Sequence, residues 1–570
     1  MVGTRAAQRD LFDADNVYLD FVGRDTFYGY LALNRDRLFS DEQFASLYCA
    51  DNGRSPASGG IPPSLLAVVL LLQAHDKVSD EEATRRGRLD MGWKVALGVK
   101  LESRPFAKST LQLFRSLLIL HERAREIFLT SVEEAKRCGY LRRGKKKLVI
   151  DTTHIFGRGQ VRDTYNLLAD GIVKLVKALA AAEVEAPIAW AAQHGFSRYF
   201  SSSIKGTADI DWSDKDAREV FLAVIVADAR RLLQVAKEAI ARRGADSDAG
   251  RSISSAANLL CALLVQDVKE KPDGKAEIRK GVAKNRVVSV TDPEMRHGRK
   301  SSSRRFDGHK AVVAADAETG LITDVDVLPG NAHDSEKVLE VVKRSEEAMG
   351  EKVEKTIGDC AYGTGRIRRE FADCGREIVA KVPRPPRTGK FTKEDFKIDL
   401  ENDRVTCPAG VVCNIFRITS VRSGPKGKKQ KTKRFTFDGK TCLACPLRSK
   451  CVKGSAGRSI TLHPEEALME KARDFQRSRE FRKEYSLRVV IEHRIARLAQ
   501  LGIRKSRYFG RRKTMFQLLM AAAVANLTLI AGAAGPMGTF VSGCAVMTLF
   551  WSLISALWKQ EEWDNRLFAA

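Results

Sequence analysis

Three carboxylates in this chain stand where they could do metal chemistry. Asp151 follows the β-rich run Leu148-Val149-Ile150, Asp359 follows a strand pattern over 352–358 and opens a Gly-containing turn, and Glu492 lies far downstream in the helical stretch KEYSLRVVIEHRIARL. Each has an ordinary reading when taken alone. An aspartate at a strand end is usually a turn former or helix cap, and Glu492 could pair with Arg488 at i, i+4. Taken together, three converging carboxylates repel one another unless cations neutralise them. Hard oxygen ligands select Mg²⁺ or Mn²⁺. Two such ions about 4 Å apart can activate a water or a 3′-hydroxyl and stabilise the leaving oxygen of a phosphodiester. Tyr485 and Arg488 precede Glu492 at offsets that bring all three side chains to nearly the same face of a helix.

A second constellation is sulfur-based. CPAG supplies Cys407 and CLACPLRSKC supplies Cys442, Cys445 and Cys451, with Cys413 as a possible substitute. Four thiolates around a CxxC core fit a tetrahedral structural Zn²⁺ site; the alternative is a set of unrelated free cysteines. They lie in a stretch beginning at Arg384 that is rich in Lys, Gly, Pro and Thr, short of aliphatic residues, and crossed by RSGPKGKKQKTKRF at 422–435. A metal would hold such a module folded without an aliphatic core and present its lysines to a phosphate backbone. His154, His297, His309 and His333 lie near the acids in sequence and read as structural or DNA-facing rather than as ligands.

The elements that must position these groups are legible in outline. Residues 1–145 read as short, Arg-studded helices, with Pro at one helix start and Ser-Asp-Glu-Glu at another. Such a region suits a DNA reader or an ordinary helical scaffold. The run before Asp151 is a strand, and 160–290 is largely helical. A hairpin follows over 308–334, then a helix near 335–349, the strand into Asp359, a helix at 366–374 and a strand at 377–383. This order, βββαβαβ, builds a mixed sheet with helices on both faces. The expected division is a helical domain (1–145), a catalytic core (146–383) carrying the helical insertion 160–290, a basic Cys-rich insertion (384–475), the final core helices (476–535) and an apolar tail (536–570).

The chain has 570 residues, enough for three or four domains, and 97 Lys plus Arg against 71 Asp plus Glu give a net charge of +26. That surplus favours a polyanionic partner, nucleic acid first and an acidic membrane second. Eleven cysteines are too few for a disulfide scaffold, and the first residues carry no apolar leader, so reduced thiols in a cytoplasmic protein are expected. Thr514 to Trp558 holds no charge and could span a bilayer, but Gln517, Asn526 and many Ala and Gly residues make 514–533 read as a buried core helix.

With these motifs in order, VIDTTHI, IGDCAYGT and Tyr485-x2-Arg488-x3-Glu492, the sequence resembles the DDE-type bacterial insertion-sequence transposases. TDPEMRHG (291–298) and GHKAVVAAD…VLPGNAHDS look like that family's middle strands. The resemblance runs from about residue 5 to 535. It implies an RNase H-like catalytic core, with Asp151, Asp359 and Glu492 as ligands of two Mg²⁺ or Mn²⁺ ions and Tyr485 and Arg488 contacting DNA. The basic residue the family carries seven places after the Glu is here Ala499, so that contact is missing or moved to Lys505. The implied activity is binding of an element's terminal inverted repeats, cleavage there and strand transfer into target DNA, by a homodimer in the cytoplasm at the nucleoid. Two rival readings of the residues are an RNase H-like nuclease without strand transfer and a zinc-dependent DNA-binding regulator with a degenerate catalytic domain. A third, membrane-anchored reading rests on the apolar C-terminal segment.

Overall fold

The computed structural model describes residues 3–5, 10–48, 60–300, 303–384, 389–422, 429–452, 454 and 456–533. The expected apolar tail and residues 423–428 of the lysine run lie outside these. Two compact units are present. One takes in Met1–Leu118, Glu133–Arg142 and the chain from Ala523, and the other Ile119–Val132 and Arg143–Ala522.

The first unit is helical, as its sequence pattern requires. Pro63 opens the apolar helix Pro63–Asp76, where its missing N–H costs nothing. Ser79 caps Asp80–Leu89 by accepting from the Glu82 N–H, and Asp90 caps Met91–Leu97 by accepting from Trp93. Polar groups buried among these helices are tied together. Asp76 accepts from Tyr28 Oη at 2.8 Å and from Trp93 Nε1 and Arg86 Nη1 at 2.7 Å each. Burial opposes its charge, but these bonds and the contact with His75 outweigh that and hold its pKa down at about 2.

The second unit is mixed α/β and centres on a six-stranded sheet. Its strands are β1 (Lys146–Phe156), β2 (Arg296–Arg299), β3 (Arg305–Asp316), β4 (Ile322–Pro329), β5 (Val353–Ile357) and β6 (Glu377–Val379). β3 runs antiparallel to β1 on one side and to both β2 and β4 on the other; β1, β5 and β6 are mutually parallel. Leu148, Val149 and Ile150 are fully buried, as a strand covered on both faces should be. β1 does not stop at Asp151, where the sequence suggested its end. It continues to Phe156 because Thr152–Phe156, mostly β-branched or aromatic, keep pairing with Val312–Gly308 of β3. Only its pairing with β5 ends early, at Val149↔Ile357.

Between β1 and β2 lies the expected helical stretch, chiefly Thr164–Ala182, Lys215–Arg243 and Asp248–Asp267, around a core of its own that includes Leu175, Trp190, Leu232 and Leu260. The segment after Arg384 differs from expectation. It forms two small three-stranded sheets, one of them β7 (Phe416–Arg422), β8 (Lys429–Thr436) and β9 (Ser459–Thr461). It also has a core, built from Phe396, Phe435 and Phe437 with Val405, Ile460 and Leu462. Aromatic residues supply here what the scarce aliphatic ones could not. Then come α1 (Arg479–Ser486), α2 (Val489–Gln500) and α3 (Arg511–Ala533). α3 is the one helix among the described residues long and apolar enough to cross a bilayer, but 67% of its most apolar window is buried within the protein. Gln517 fits a core site by donating to the carbonyls of Gly502 and Lys505 while accepting from the Arg507 N–H.

Candidate active site

The parallel register of β1 and β5 brings the first two acids together. Val149 faces Ile357, and each strand needs two more residues to reach its aspartate. Asp359 leaves β5 and caps the short turn Cys360–Tyr362, accepting from the Ala361 N–H at 2.8 Å. Asp151 Oδ1 accepts from the Thr152 N–H at 2.7 Å. Burial raises the Asp151 pKa; Thr152 and Arg488 counter it, nearby Asp359 adds to it, and the net shift is upward.

Glu492 arrives on α2, which packs on β1 and β3. Tyr485, Arg488 and Glu492 do not share one unbroken helix as their spacing suggested. Tyr485 is on α1, Arg488 sits at the junction and Glu492 lies in the first turn of α2. At the junction the backbone tightens to i→i−3 bonds, with the Leu487 and Arg488 N–H groups donating to Glu484 and Tyr485 carbonyls at 3.2 Å. The junction turns Arg488 toward the sheet. Its Nη2 lies 2.9 Å from Asp151 Oδ2 and 3.7 Å from Glu492 Oε1. The helical pair with Glu492 therefore exists but is the longer of the two contacts. One guanidinium bridges the first and third acids, as a cation must where carboxylates crowd.

Two supporting features were not apparent from sequence. Glu484 is on the buried face of α1 and accepts from Lys147 of β1 at 2.8 Å, with Lys355 of β5 at 3.6 Å, which keys the helix to the two strands that lead to the aspartates. Tyr362 is wholly buried, and its hydroxyl has no hydrogen-bond partner among the described residues. Burial first, then Asp151, Asp334 and Asp359, push its pKa well up, so it remains a donor beside the acids. Asp334 itself pairs with Lys310 at 2.8 Å. The only sequence signal for Tyr362 was its place three residues after Asp359 in IGDCAYGT.

Tyr485 stacks on Phe481 (5.2 Å between centroids, 16° between planes), lies under the Lys381 ammonium at 4.8 Å, and accepts from Arg488 Nη1 at 3.2 Å. Lys505 is exposed beside the far end of β1, where the Phe156 N–H donates to the Arg504 carbonyl at 2.9 Å and the Ser506 N–H to the Phe156 carbonyl at 2.8 Å. The acids of TDPEMRHG hold the next turn. Asp292 accepts from the Gly510 N–H at 3.0 Å and Glu294 from the Arg511 N–H at 2.7 Å, at the start of α3.

In the insertion, Cys407, Cys442, Cys445 and Cys451 line one cavity of about 30 Å³. Burial raises the Cys451 pKa, and the other three thiols add to the effect. Cys413 does not line that cavity. It is buried in the aromatic core, with Sγ donating to the carbonyls of Ile415 and Thr436. Among the described residues no group of three or more His, Cys, Asp or Glu side chains is already set to hold a metal ion.

Comparison with known proteins gives two family matches. The family described as Transposase DDE domain matches residues 406–531, which include Glu492 and all four cavity cysteines, and the family described as Transposase domain (DUF772) matches residues 18–117. Asp151 and Asp359 fall outside both. No curated protein and no solved structure matches the chain. The two transposase-domain matches, one toward each end of the chain, support a DDE-type insertion-sequence transposase.

Proposed function

We propose that this chain binds the terminal inverted repeats of an insertion sequence, cleaves a phosphodiester at each end and joins the freed 3′-hydroxyl to target DNA. The observation that carries the reading is the β1–β5 register, which sets Asp151 beside Asp359, together with Arg488, which links Asp151 to Glu492. The strand order, three antiparallel strands followed by two parallel ones with the first acid on the central strand, supports an RNase H-like core. DDE transposases typically use a divalent metal. The donor chemistry suits one: Asp359 lies near enough to Asp151 to raise its pKa, and Arg488 stands between Asp151 and Glu492. Asp151, Asp359 and Glu492 would hold two Mg²⁺ or Mn²⁺ ions, which supply Lewis acidity and an activated water or 3′-hydroxyl.

The chain's own residues have separate tasks in this reading. Arg488 neutralises Asp151 before the site is loaded and is then free to hold a phosphate near the cleaved end. Tyr485 braces Arg488 through its hydroxyl, and Tyr362 offers a buried donor to the acids. Lys505 extends cationic surface along the end of β1. The four cavity thiols suit a structural Zn²⁺ that ties Cys407 to the 442–451 turn. By analogy with the family the chain works as a homodimer, in the cytoplasm. Incubation with end-bearing DNA and Mg²⁺, followed by mapping of cut and joined products, tests the reading. Cutting without joining would leave a nuclease, and no cutting at all would leave a DNA-binding protein.

A further inference from the structure

The β2–β3 ribbon carries a strongly unbalanced charge within the second unit. From Arg296 to Phe306 the sequence holds five basic residues and no acid. The ribbon is well formed: Arg299 pairs directly across from Arg305, and the Lys300 N–H donates to the Arg304 carbonyl at 2.9 Å. Two arginines directly opposite in an antiparallel pair destabilise it. Both are exposed, and no carboxylate among the described residues lies within ion-pair distance of either. One rung further in, by contrast, the His297 ring is hydrogen-bonded to the Asp307 carboxylate. Arg299 and Arg305 have no such partner among the described residues.

Charge also appears on both faces. Strand alternation puts Arg299 and Arg305 on one face and Phe306 on the other. On the Phe306 side stand His154, whose ring lies 5.4 Å from that of Phe306, and the cations Lys300 and Arg504 that act on it after burial. Lys505 is exposed beside the same end of β1. An extended phosphate surface touching one side of the protein would need cations on one face only. Cations on both faces of a narrow ribbon match a partner with phosphates on both sides of it. The major groove of duplex DNA, about 12 Å wide, admits a two-stranded ribbon and has a phosphate wall on each side.

We infer that the outer end of the β2–β3 ribbon enters the major groove of duplex DNA, with Arg299 and Arg305 against one phosphate wall and Lys300 against the other. This deepens the reading of the chain as a DNA-acting protein and rests on it, but it concerns binding alone. The test uses the full-length chain and a cleavage-resistant duplex, so loss of catalysis does not enter. For Arg299→Ala/Arg305→Ala the slope of log K against log salt should fall by about 2, and adding Lys300→Ala should lower it by about 1 more. The conservative pair Arg299→Lys/Arg305→Lys should restore the slope, which a misfolded ribbon would not. Phosphate-ethylation interference should show contacts on both strands flanking one groove, and the alanine variants should lose them. An unchanged slope, or interference confined to one strand, would overturn the inference. So would variants that keep duplex affinity but lose binding to phosphatidylserine vesicles, since the partner would then be a membrane.

Discussion

The N-terminal helices and the β2–β3 ribbon are both rich in arginine and use it in opposite ways. In the helices Arg35 meets Asp15, Arg37 and Arg137 meet Glu134, Arg86 meets Asp76 and Arg115 meets Asp80. Most of these acids are buried, so the arginines serve as counter-ions that make the burial tolerable. In the ribbon Arg299 faces Arg305 across the strands. A formal charge of +26 thus does not say how much positive charge is available to a polyanion. The Arg-studded pattern of residues 1–145 suited a DNA-facing surface or a helical scaffold; Arg35 and Arg115 turn inward, while residues such as Arg88 and Arg104 stay exposed.

The acids of the candidate active site make a third case, carboxylates gathered around one arginine, and changing them should have the largest effect. Glu492→Gln should lower cleavage and joining by at least about 10³-fold while DNA binding stays near wild type, because Gln keeps the size but loses the charge that balances divalent ions. In metal-free buffer the variant should be no less stable than wild type, since the largely exposed Glu492 carboxylate makes only the longer of the two Arg488 contacts. If Glu492 served only as a helical partner of Arg488, the variant would cut normally. Arg488→Ala separates two roles. Joining should fall while metal binding persists or tightens, as measured by calorimetry with Mn²⁺; weakened metal binding would count against a guanidinium that merely stands in for a cation.

Substituting Cys442 and Cys445 by Ser should release one zinc per chain and expose residues 391–462 to protease. Metal analysis of freshly purified, reduced protein checks the first part, and finding no zinc would remove the site. The aromatic core around Phe435 and Phe437 should leave that region partly protected, so digestion should begin near the 442–451 turn.

How much of this was legible in sequence follows from which interactions are local. Strand alternation, helix caps and the hairpin depend on neighbours in the chain, and Ser79 and the β3–β4 pair appear where their patterns placed them. β1 was read too short because Asp151 looks like a terminator until β3 is known to pair past it. The break between α1 and α2 was invisible because helical spacing continues through Leu487 and Arg488. The Arg488–Asp151 contact joins residues 337 positions apart, and nothing in either local sequence encodes it. The core of the insertion was missed by counting aliphatic residues, when phenylalanines supply the burial.

The helical region should respond to acid in a way the ribbon does not. Asp76 is held at about 2, below its ordinary value of 3.8, chiefly by hydrogen bonds that overcome its burial. Its contribution is therefore complete above about pH 4 and is lost as pH falls toward 2, worth roughly 2 kcal/mol. Asp76→Asn should lower stability by a similar amount at neutral pH and flatten the acid limb of thermal unfolding. An equally steep acid limb in the variant would mean that other carboxylates dominate.

The smallest effect, and the sharpest contrast with the ribbon, is expected from Arg85→Ala. Arg85 makes two hydrogen bonds of 2.7 Å to Glu82 on the same exposed helix face, and Glu82 keeps Arg86 at 3.1 Å when Arg85 is removed. No carboxylate is left unpaired, and Ala is the better helix former. Exposed pairs of this kind add little to stability, so the melting temperature should stay within about 1 °C of wild type. The variant removes one positive charge, as does either ribbon substitution taken singly, yet the salt slope of DNA binding should not move. An arginine already neutralised by a carboxylate displaces no counter-ion from DNA, whereas Arg299 and Arg305 each should. If Arg85→Ala lowered the slope by as much as Arg299→Ala, pairing in the free protein would not predict which cations meet DNA, and the distinction between the two regions would fail.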